Sequence, residues 1–325
     1  MENQTTRIKF DGEGWPLFKL YLSNLLLSIF TLGVYYFWAK VKTKKYFYNH
    51  TSFQDSRFEY HATGKEKLIG FIKGLVMIGI PFALILYGLP KLFEMFNVNK
   101  TFAATFPPLL IYVIFISILP FIVYGSRKFQ LARSSWNAVH FRFNGNVKDL
   151  YKIIFKGFFF SIITLGIYSS WFRVKLDKYL IDKSTIGNQE FFFDGAGKDV
   201  FYKTLLAMLL IPFTFGFYAF HYKADLERYY WQHTFFQGNM FKSDMSGTGL
   251  LKVTFLSFFI TVFTLGFGFA WAIIIKKKYL LETISFTGEV DLLKIQAVPD
   301  SSADALAEGI SEAGDFLDTI GEFFG

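Results

Sequence analysis

The chain contains no cysteine among its 325 residues. Disulfides, thiolate metal sites, iron–sulfur clusters and cysteine nucleophiles are therefore excluded, and the sequence gives no indication of the redox state of its compartment. A cleavable signal peptide is not predicted, because the polar residues 1–14 carry both signs of charge and the first apolar run lacks a small-x-small cleavage pattern.

Sequence patterns that support catalysis are also missing. The serines lack a GxSxG nucleophile elbow, and the glycine-rich stretch 64–74 does not follow the GxxxxGK[ST] order of a phosphate loop. Carboxylates are rare within the apolar runs, which argues against a proton-coupled carrier. We therefore expect no enzymatic activity, no metal and no cofactor.

Apolar and aromatic residues are abundant instead. Hydrophobic residues make up 52% of the chain and aromatic residues 21%, with 44 phenylalanines. The apolar residues form six segments, and about 20 such residues suffice to cross the hydrocarbon of a bilayer. The sequence therefore predicts a mainly α integral membrane protein with six hydrophobic helical segments, at residues 16–38, 68–90, 102–124, 150–172, 201–220 and 250–275.

Charge is distributed unevenly along the chain. Lysine and arginine total 34 against 26 acidic residues, yet residues 300–325 hold seven acids and no Lys or Arg. The basic residues flank the apolar segments, as membrane anchoring requires, so no nucleic-acid partner is expected. The tail, residues 299–325, carries an apolar stripe that predicts an acidic amphipathic helix, with a protein partner or self-association as its expected role.

An internal repeat is the strongest pattern in the sequence. Three stretches carry it, namely SIFTLGVYYFWAKVKTKKY, SIITLGIYSSWFRVKLDKY and TVFTLGFGFAWAIIIKKKY, which end at Tyr46, Tyr179 and Tyr279. Weaker copies end at Phe129 and Tyr229, so the last four positions are separated by 50 residues each time. We interpret residues 1–298 as a membrane repeat domain of five degenerate units, with one helix near residues 68–90 inserted between the first two.

Each basic stretch is followed by alternating aromatic residues that end in glycine, which predicts short strands. Examples are FEYHATG at residues 58–64 and FFFDGAG at residues 191–197. The N-terminal IKFDGEG, residues 8–14, resembles the end of such a unit. Seven residues after the five aromatic positions that end the units, the chain carries Phe53, Trp136, Ile186, Phe236 and Phe286.

Two membrane topologies fit these segments. Six alternating crossings are favoured by the length of the apolar runs, although Lys and Arg then divide almost evenly between the two sides. In the alternative, the Thr-Leu-Gly segments are broken helices that enter and return, with Gly33, Gly166 and Gly266 ending the first limb. Only residues 68–90 and 102–124 would then cross, and all the strands would share one face.

At this repeat the sequence resembles the YjgN-like family of bacterial inner-membrane proteins. The resemblance is carried by TLGVYYFWAKVKTKKYFYNHTSF at residues 31–53 and RFEYHATGKEKLIGFIKG at residues 57–74, and it extends over about residues 7–297. It implies a multi-pass protein of the bacterial inner (cytoplasmic) membrane. It implies no reaction, because the family has no established activity.

The basic-aromatic stretches are candidates for a collar that binds anionic lipid headgroups. Generic interfacial anchoring explains any single copy, whereas five copies favour a dedicated purpose. The candidate collar residues are Trp38, Lys42, Lys44, Lys45, Tyr46, Trp171, Lys178, Tyr179, Trp271, Lys278 and Tyr279.

Two histidines, His50 and His233, occupy matching repeat positions. They form a candidate polar pair for a proton or a metal, but structural hydrogen bonding at the interface is the favoured interpretation. For the whole chain we expect a non-enzymatic role in transport or permeation through the broken helices. A structural or lipid-organising envelope protein is the alternative.

Overall fold

The computed structural model describes residues 5–297, so the predicted tail helix lies outside the described residues. The chain divides into two compact units. We call them the sheet unit, which comprises residues 5–64, 131–145 and 151–297, and the long-pair unit, which comprises residues 65–130 and 146–150.

Helices come in pairs that are separated by short β-hairpins. In chain order they are α1 (Gly14–Phe30), α2 (Tyr36–Asn49), α3 (Gly64–Gly74), α4 (Ile80–Ala83), α5 (Leu89–Met95), α6 (Lys100–Ala132), α7 (Val147–Ile163), α8 (Ser169–Asp182), α9 (Gly197–Phe213), α10 (Tyr218–Gln232), α11 (Gly247–Phe263) and α12 (Phe269–Glu282). We call α1–α2, α7–α8, α9–α10 and α11–α12 the short helix pairs.

The strands form one antiparallel sheet. They are β1 (Thr5–Arg7), β2 (Lys9–Phe10), β3 (Thr51–Phe53), β4 (Ser56–Tyr60), β5 (Ser134–Trp136), β6 (Val139–Phe143), β7 (Ser184–Ile186), β8 (Gln189–Phe193), β9 (Thr234–Phe236), β10 (Asn239–Ser243) and β11 (Ile284–Thr287). Strand order follows the chain from β2 to β11 and ends on β1. Because only Ile8 separates β1 from β2, the N-terminal segment pairs with both β11 and β3 and closes the sheet into a barrel-like ring.

Apolar side chains fill the centre of this ring. Phe53, Trp136, Ile186, Phe236 and Phe286 are all at most 8% exposed and belong to one cluster. Ring centroids of Phe53 lie 5.5 Å from those of Trp136 and 5.8 Å from those of Phe286. These five residues occupy matching positions on β3, β5, β7, β9 and β11. Side chains alternate between the two faces of a strand, so matching positions on alternate strands face the same side of the sheet. The five positions that follow the repeated aromatic residues by seven therefore meet at one centre.

Two-residue turns join the strands of each hairpin at one end of the sheet. All four short helix pairs therefore connect to the other end of the strands. Gln54 and Asp55 both have positive φ, as do Asn137 and Ala138, and such turns match the twist of antiparallel strands. The hairpin turns lie at one end of the strands, and each short helix pair begins and finishes at the opposite end.

The long-pair unit contains two long helical arms. One arm runs from α3 to α5 and includes two π-helical turns, Leu75–Gly79 and Leu84–Gly88. Pro81 and Pro90 each lie two residues after one of these turns. A proline lacks the backbone N–H of a helix, and the wider π-helical turn accommodates its ring and the missing hydrogen bond. The other arm is the 33-residue helix α6. Both arms are longer than the helices of the short pairs. The residues that lengthen the first repeat interval are therefore divided between the two arms of the long pair.

The predicted fold class is wrong. Within residues 5–297, α6 is the one helix that is long and apolar enough to cross a membrane, which excludes six spanning helices. Segments 16–38, 150–172, 201–220 and 250–275 each contain a turn that divides them into two helices of 17 residues or fewer. Hydropathy did not show these turns, because the turn residues are themselves apolar. The short extended pieces combine into an eleven-stranded sheet instead of remaining accessory strands.

Candidate membrane-contacting surface

The four short helix pairs share one turn geometry. Leu32 has φ +50° and the following Gly33 has φ +90°. The Gly33 amide donates to the Ser28 carbonyl at 2.7 Å, and the Leu32 amide donates to the Ile29 carbonyl at 3.1 Å. These two bonds form a Schellman motif, which satisfies the last carbonyls of α1. Gly166 and Gly266 have the same conformation, so the three candidate helix breaks all lie in such turns.

A threonine before each glycine joins the two helices of a pair. The Thr31 hydroxyl donates to the Leu27 carbonyl at 2.7 Å and accepts from the Tyr35 amide at 2.9 Å. Thr164 makes the same bonds to Phe160 and Tyr168. The threonine thus caps the end of one helix and the start of the next.

Sequence reasoning missed the fourth turn. Phe215 and Gly216 have φ values of +49° and +88°, and the Thr214 hydroxyl accepts from the Tyr218 amide at 3.0 Å. Phenylalanine replaces the leucine of the other turns, which hid the motif from a search for Thr-Leu-Gly. Its position midway between residues 164 and 264 was the available signal.

Each turn presents one fully exposed apolar side chain. Leu32 and Leu165 are both 95% exposed, Phe215 is 93% exposed and Leu265 is 89% exposed. Left-handed backbone costs an L-residue with a Cβ about 1–2 kcal/mol, and Gly or Asn adopts it more readily than Leu or Phe. The turn itself therefore gives no reason for a large apolar residue. We call Leu32, Leu165, Phe215 and Leu265 the tip residues.

The cations of the candidate collar divide into two groups. The Lys42 ammonium lies 2.5 Å from the Tyr35 hydroxyl and 5.2 Å from its ring centroid. Lys175, which was not among the predicted collar residues, pairs with Tyr168 in the same way at 2.8 Å and 5.4 Å. Both lysines are exposed and lie on the second helix of a pair. They belong to the lateral surface of the pairs.

Other collar lysines contact the sheet or their own helix. The Lys178 ammonium donates to the Phe193 carbonyl and lies 4.7 Å from the Phe192 ring centroid. Lys44 lies 5.7 Å from the Tyr60 ring centroid, and Lys278 forms a 3.9 Å ion pair with Glu282. Lys45 is half-buried on α2. The predicted collar is therefore not one continuous band of free cations.

The collar tryptophans pack over glycines at the starts of first helices. A Cβ on Gly14 would lie 2.4 Å from the Trp271 ring, which shows how closely that ring covers the backbone. Gly64 meets Trp38 and Gly197 meets Trp171 in the same way. Trp271 on α12 thus packs on α1, so the helices as well as the strands link the last pair to the first.

Two predicted collar tyrosines, Tyr46 and Tyr279, and Tyr229 at the matching repeat position each form hydrogen bonds to the start of a helix 33 residues earlier in the chain. The Tyr46 hydroxyl accepts from the Glu13 amide and donates to the Glu13 carbonyl, both at 2.8 Å. Tyr279 makes the same two bonds to Ser246, and Tyr229 makes them to Ala196. Burial raises the pKa of Tyr229 to about 12, and Asp199 contributes in the same direction. Tyr179 is half-buried at the matching position of α8.

The two matching histidines each end a helix and contact their own tyrosine. His50 follows α2, and its Nδ1 lies 2.7 Å from the Tyr46 carbonyl. His233 follows α10, and its Nδ1 lies 2.8 Å from the Tyr229 carbonyl. Their rings stack on the same tyrosines at centroid distances of 4.2 Å and 4.1 Å. Each histidine is thus engaged within its own helix pair.

A different pair of histidines lies close together on the sheet. The centroids of His61 and His140 are 4.9 Å apart, and His61 Nε2 lies 2.7 Å from the Ser135 hydroxyl. Burial lowers the pKa of His61, and His140 lowers it further. Within the described residues no third ligand joins these imidazoles in a metal-binding group. Their separation in the sequence gives no sign of this contact, which the pairing of β4, β5 and β6 creates.

Comparison with known proteins gives one family and several curated relatives. The family described as a bacterial protein of unknown function (DUF898) matches residues 5–221 and 203–313. Inner membrane protein YjgN of Salmonella typhimurium is 28% identical over 155 residues, which are 47% of this chain and 35% of that protein. The protein of the same name from Escherichia coli O157:H7 is 30% identical over 149 residues, 45% of this chain and 33% of that protein.

The chain therefore spans about a third of the length of the curated relatives that it matches. No solved structure matches it.

Proposed function

The chain belongs to the DUF898 family of bacterial proteins of unknown function, as its resemblance to the YjgN-like proteins predicted, and we propose that it is a lipid-organising protein of the inner membrane. In this proposal the short helix pairs enter one leaflet from the side of the sheet, and the long pair crosses the whole bilayer. The names of the curated relatives support the location.

The positions of the lysines support half-depth insertion of the short pairs. Along the first helices, Lys19, Lys156, Lys203 and Lys252 precede the turn threonine by 8 to 12 residues. At 1.5 Å per residue this separation is about 12–18 Å. Half of the hydrocarbon thickness is about 15 Å. A short pair whose lysines reach the headgroups therefore ends near the middle of the bilayer.

The tip residues are the observation that carries the proposal. Four large apolar side chains occupy a left-handed conformation that disfavours them, and all four are fully exposed. Moving one such side chain from water into hydrocarbon gains about 1.5–3 kcal/mol, which exceeds or offsets the conformational cost. Contact with lipid explains both the residue type and the exposure.

In the long pair, α6 is a single helix long enough to cross, whereas the first arm reaches a comparable length only by joining α3, α4 and α5 through its π-helical turns. No charged residue lies between Lys73 and Lys91 on the first arm or between Lys100 and Arg127 on the second. These intervals correspond to about 27 Å and 40 Å of helix. If both arms cross, residues 96–99, which join them, lie on the side of the bilayer opposite to Lys73 and Arg127.

The filled centre of the sheet favours a lipid-organising role over permeation. A pathway along the axis of the ring would have to pass the cluster of Phe53, Trp136, Ile186, Phe236 and Phe286, all of which are buried. Insertion of several hairpins into one leaflet instead displaces lipid from that leaflet alone. In this proposal Lys42 and Lys175, which are exposed beside Tyr35 and Tyr168, contact anionic headgroups next to the inserted pairs.

Depth measurements test this proposal directly, because the chain has no cysteine. Single cysteines at Leu32, Leu165, Phe215 and Leu265 would carry an environment-sensitive fluorophore in vesicles that contain lipids brominated at defined acyl positions. We expect the deepest bromines to quench all four most strongly. A cysteine at Asp55, in a sheet turn, serves as the matched aqueous control, and one at Asn97 reports the opposite side.

Labelling of the tip cysteines by a membrane-impermeant thiol reagent in intact vesicles would contradict the proposal. So would equal accessibility of Asp55→Cys and Asn97→Cys from one side, because the long pair would then not cross.

A further inference from the structure

The chain leaves the sheet after β11 and crosses its open end. In the other hairpins a second strand follows the first, but the partner of β11 at this point is β1 from the N-terminus. Gly288 turns the chain with φ +99°, and a Cβ there would lie 2.9 Å from the Asn239 amide oxygen. Residues 289–297 then pass over the turns of the hairpins β7–β8 and β9–β10. We call residues 289–297 the crossing segment.

Two aliphatic side chains anchor the crossing segment in the apolar centre of the sheet. Val290 is 7% exposed and belongs to the cluster that contains Phe286 and Trp136. Ile295 packs against the same cluster. Leu292 and Leu293, between the anchors, are 42% and 93% exposed, so they take no part in this contact.

Side-chain amides of the hairpin turns recognise the backbone of the crossing segment. The Gln237 side chain accepts from the Asp291 amide at 2.8 Å and donates to the Asp291 carbonyl at 3.1 Å. Gln189 donates to the Lys294 carbonyl at 3.2 Å, and Asn188 accepts from the Gln296 amide at 3.0 Å. Asn and Gln offer both a donor and an acceptor, so one side chain can pair with both the N–H and the C=O of one residue.

Close approach at Gly187 completes the contact. A Cβ at this position would lie 2.3 Å from the Gln296 carbonyl oxygen, so the turn must carry glycine for the segment to lie against it. The segment itself is shaped by Asp291, whose carboxylate accepts from the Leu293 amide at 3.0 Å and pairs with Lys294 at 3.3 Å. The crossing segment is thus held by two apolar side chains, by hydrogen bonds from Gln and Asn side chains to its backbone, and by its own turn at Asp291.

We propose that the open end of the sheet is a peptide-binding site whose resident ligand is the crossing segment of the same chain. The site takes a peptide with aliphatic side chains five positions apart and an aspartate directly after the first. Specificity resides in the anchors and the turn, because the Gln and Asn contacts read only backbone groups. The resident segment is covalently attached, so its high effective concentration keeps the site filled against free peptides.

A binding experiment on the full-length protein in detergent tests this inference. The receptor is the double variant Val290→Asp, Ile295→Asp, whose own segment can no longer occupy the apolar centre. The probe is a fluorescent peptide with the wild-type sequence of residues 287–297. We expect the double variant to bind this peptide at least tenfold more tightly than the wild-type chain does. A matched Leu292→Asp, Leu293→Asp chain, altered only at the exposed positions, should bind as weakly as the wild type.

Probe and receptor variants locate the recognition. A peptide with the Val290→Asp and Ile295→Asp changes should not bind, whereas one with Leu293→Ser should bind as the wild-type peptide does. Addition of Gln237→Leu to the receptor should weaken binding several-fold. Equal affinity of the double variant and the wild-type chain for the peptide would overturn the proposal.

A second measurement covers the case in which the double variant fails to fold. In the otherwise wild-type chain, Gln237→Leu should accelerate hydrogen exchange of the Asp291 and Gln296 amides while leaving the amides of β9 and β10 unchanged. Unchanged exchange at Asp291 would equally overturn the inference.

Discussion

The short helix pairs and the long helix pair have the same chain connections but differ in what limits their length. Every short pair ends at a capped Thr-Leu-Gly or Thr-Phe-Gly turn after 17 residues of first helix, whereas the arms of the long pair continue through proline and π-helical turns. The difference shows that the helix bases, which connect to the sheet, are constrained, while the distance to the turn is free to vary. A single architecture can therefore contain both short and long helix pairs.

The largest expected effect comes from a charge in the middle of the long pair. Val113→Arg places a cation near the centre of α6, where the insertion cost is about 2.5–3.5 kcal/mol. We expect membrane-inserted protein to fall about tenfold or more, measured as the carbonate-resistant fraction. Val113→Leu serves as the control and should accumulate normally. Normal insertion of the arginine variant would show that α6 does not face hydrocarbon.

Polar substitutions at the four tip residues should affect the short helix pairs and leave the long pair unchanged. The quadruple variant Leu32→Asn, Leu165→Asn, Phe215→Asn, Leu265→Asn relieves the left-handed strain but removes the apolar tips. We expect shallower tip positions in bromolipid quenching, together with unchanged or higher thermal stability in detergent. The four tip positions changed to Met provide the apolar control. Unaltered depth in the Asn variant would contradict the lipid contact.

Removal of a tyrosine hydroxyl should destabilise the base of a short pair. Tyr279→Phe removes two hydrogen bonds to Ser246, which costs about 1–3 kcal/mol if the backbone groups stay unsatisfied. The long pair already has Phe129 at the matching position, so Phe is sterically compatible with the repeat. Thermal unfolding in detergent measures the loss. An unchanged midpoint would show that water replaces the hydroxyl without cost.

The same contacts predict an alkaline limit to stability. Because burial raises the pKa of Tyr229 to about 12 from its ordinary value near 10, the folded state retains a proton that the unfolded state loses. Stability contributed by this group is complete below pH 10 and declines between pH 10 and 12. Tyr229→Phe should lower stability at pH 8 but reduce the further loss between pH 8 and 11, as followed by tyrosine absorbance and unfolding. Parallel curves for both proteins would contradict this explanation.

His61 predicts a smaller effect on the acid side. Its pKa is lowered by burial and by His140, so the unfolded state binds a proton more readily than the folded state. Stability should therefore decrease as the pH falls through the ordinary histidine pKa of about 6.5. His61→Gln should show a shallower decrease between pH 7 and 5 in thermal melts. An identical slope would mean that other groups control the acid response.

The smallest expected effect concerns lipid charge. Lys42→Gln and Lys175→Gln should each weaken binding of vesicle-derived anionic lipid about fivefold, since each surface cation contributes about 1 kcal/mol near an anionic bilayer. Lys178→Gln is the matched control, because its ammonium is already held by the sheet. Native mass spectrometry of lipid adducts measures the difference. An equal effect of all three substitutions would indicate nonspecific electrostatics.

Local features of the fold were predictable, whereas their assembly was not. The aromatic alternation at residues 191–197 indicated a strand, and Gly33, Gly166 and Gly266 indicated helix ends, because both patterns are local. Closure of the sheet depends on pairing between residues 5–7 and 285–287, which no local pattern expresses. The favoured six crossings failed because an apolar turn and an apolar helix have the same hydropathy.

The candidate site shows a similar division. Lys42 and Lys178 were both predicted as collar residues, but only the structure shows that the Lys42 ammonium lies against Tyr35 while that of Lys178 lies against Phe192. Tyr46, Tyr179 and Tyr279 were predicted as collar residues from their type and position, and only the structure shows that the hydroxyls of Tyr46 and Tyr279 bond to the backbone 33 residues earlier. The same aromatic residue types occur at membrane interfaces and in structural contacts, so the sequence does not distinguish the two roles and the three-dimensional contacts do.

Closure of the ring by its N-terminal strand sets an order for biogenesis. The first strand is the earliest part of the described chain to be synthesised, yet its partner, Thr287, is among the last. Every helix pair leaves the ribosome while the sheet still has two open edges, and the long pair emerges second. The ring therefore stays open while the helix pairs are synthesised, and β1 can pair with β11 only after residues 285–287 have been made.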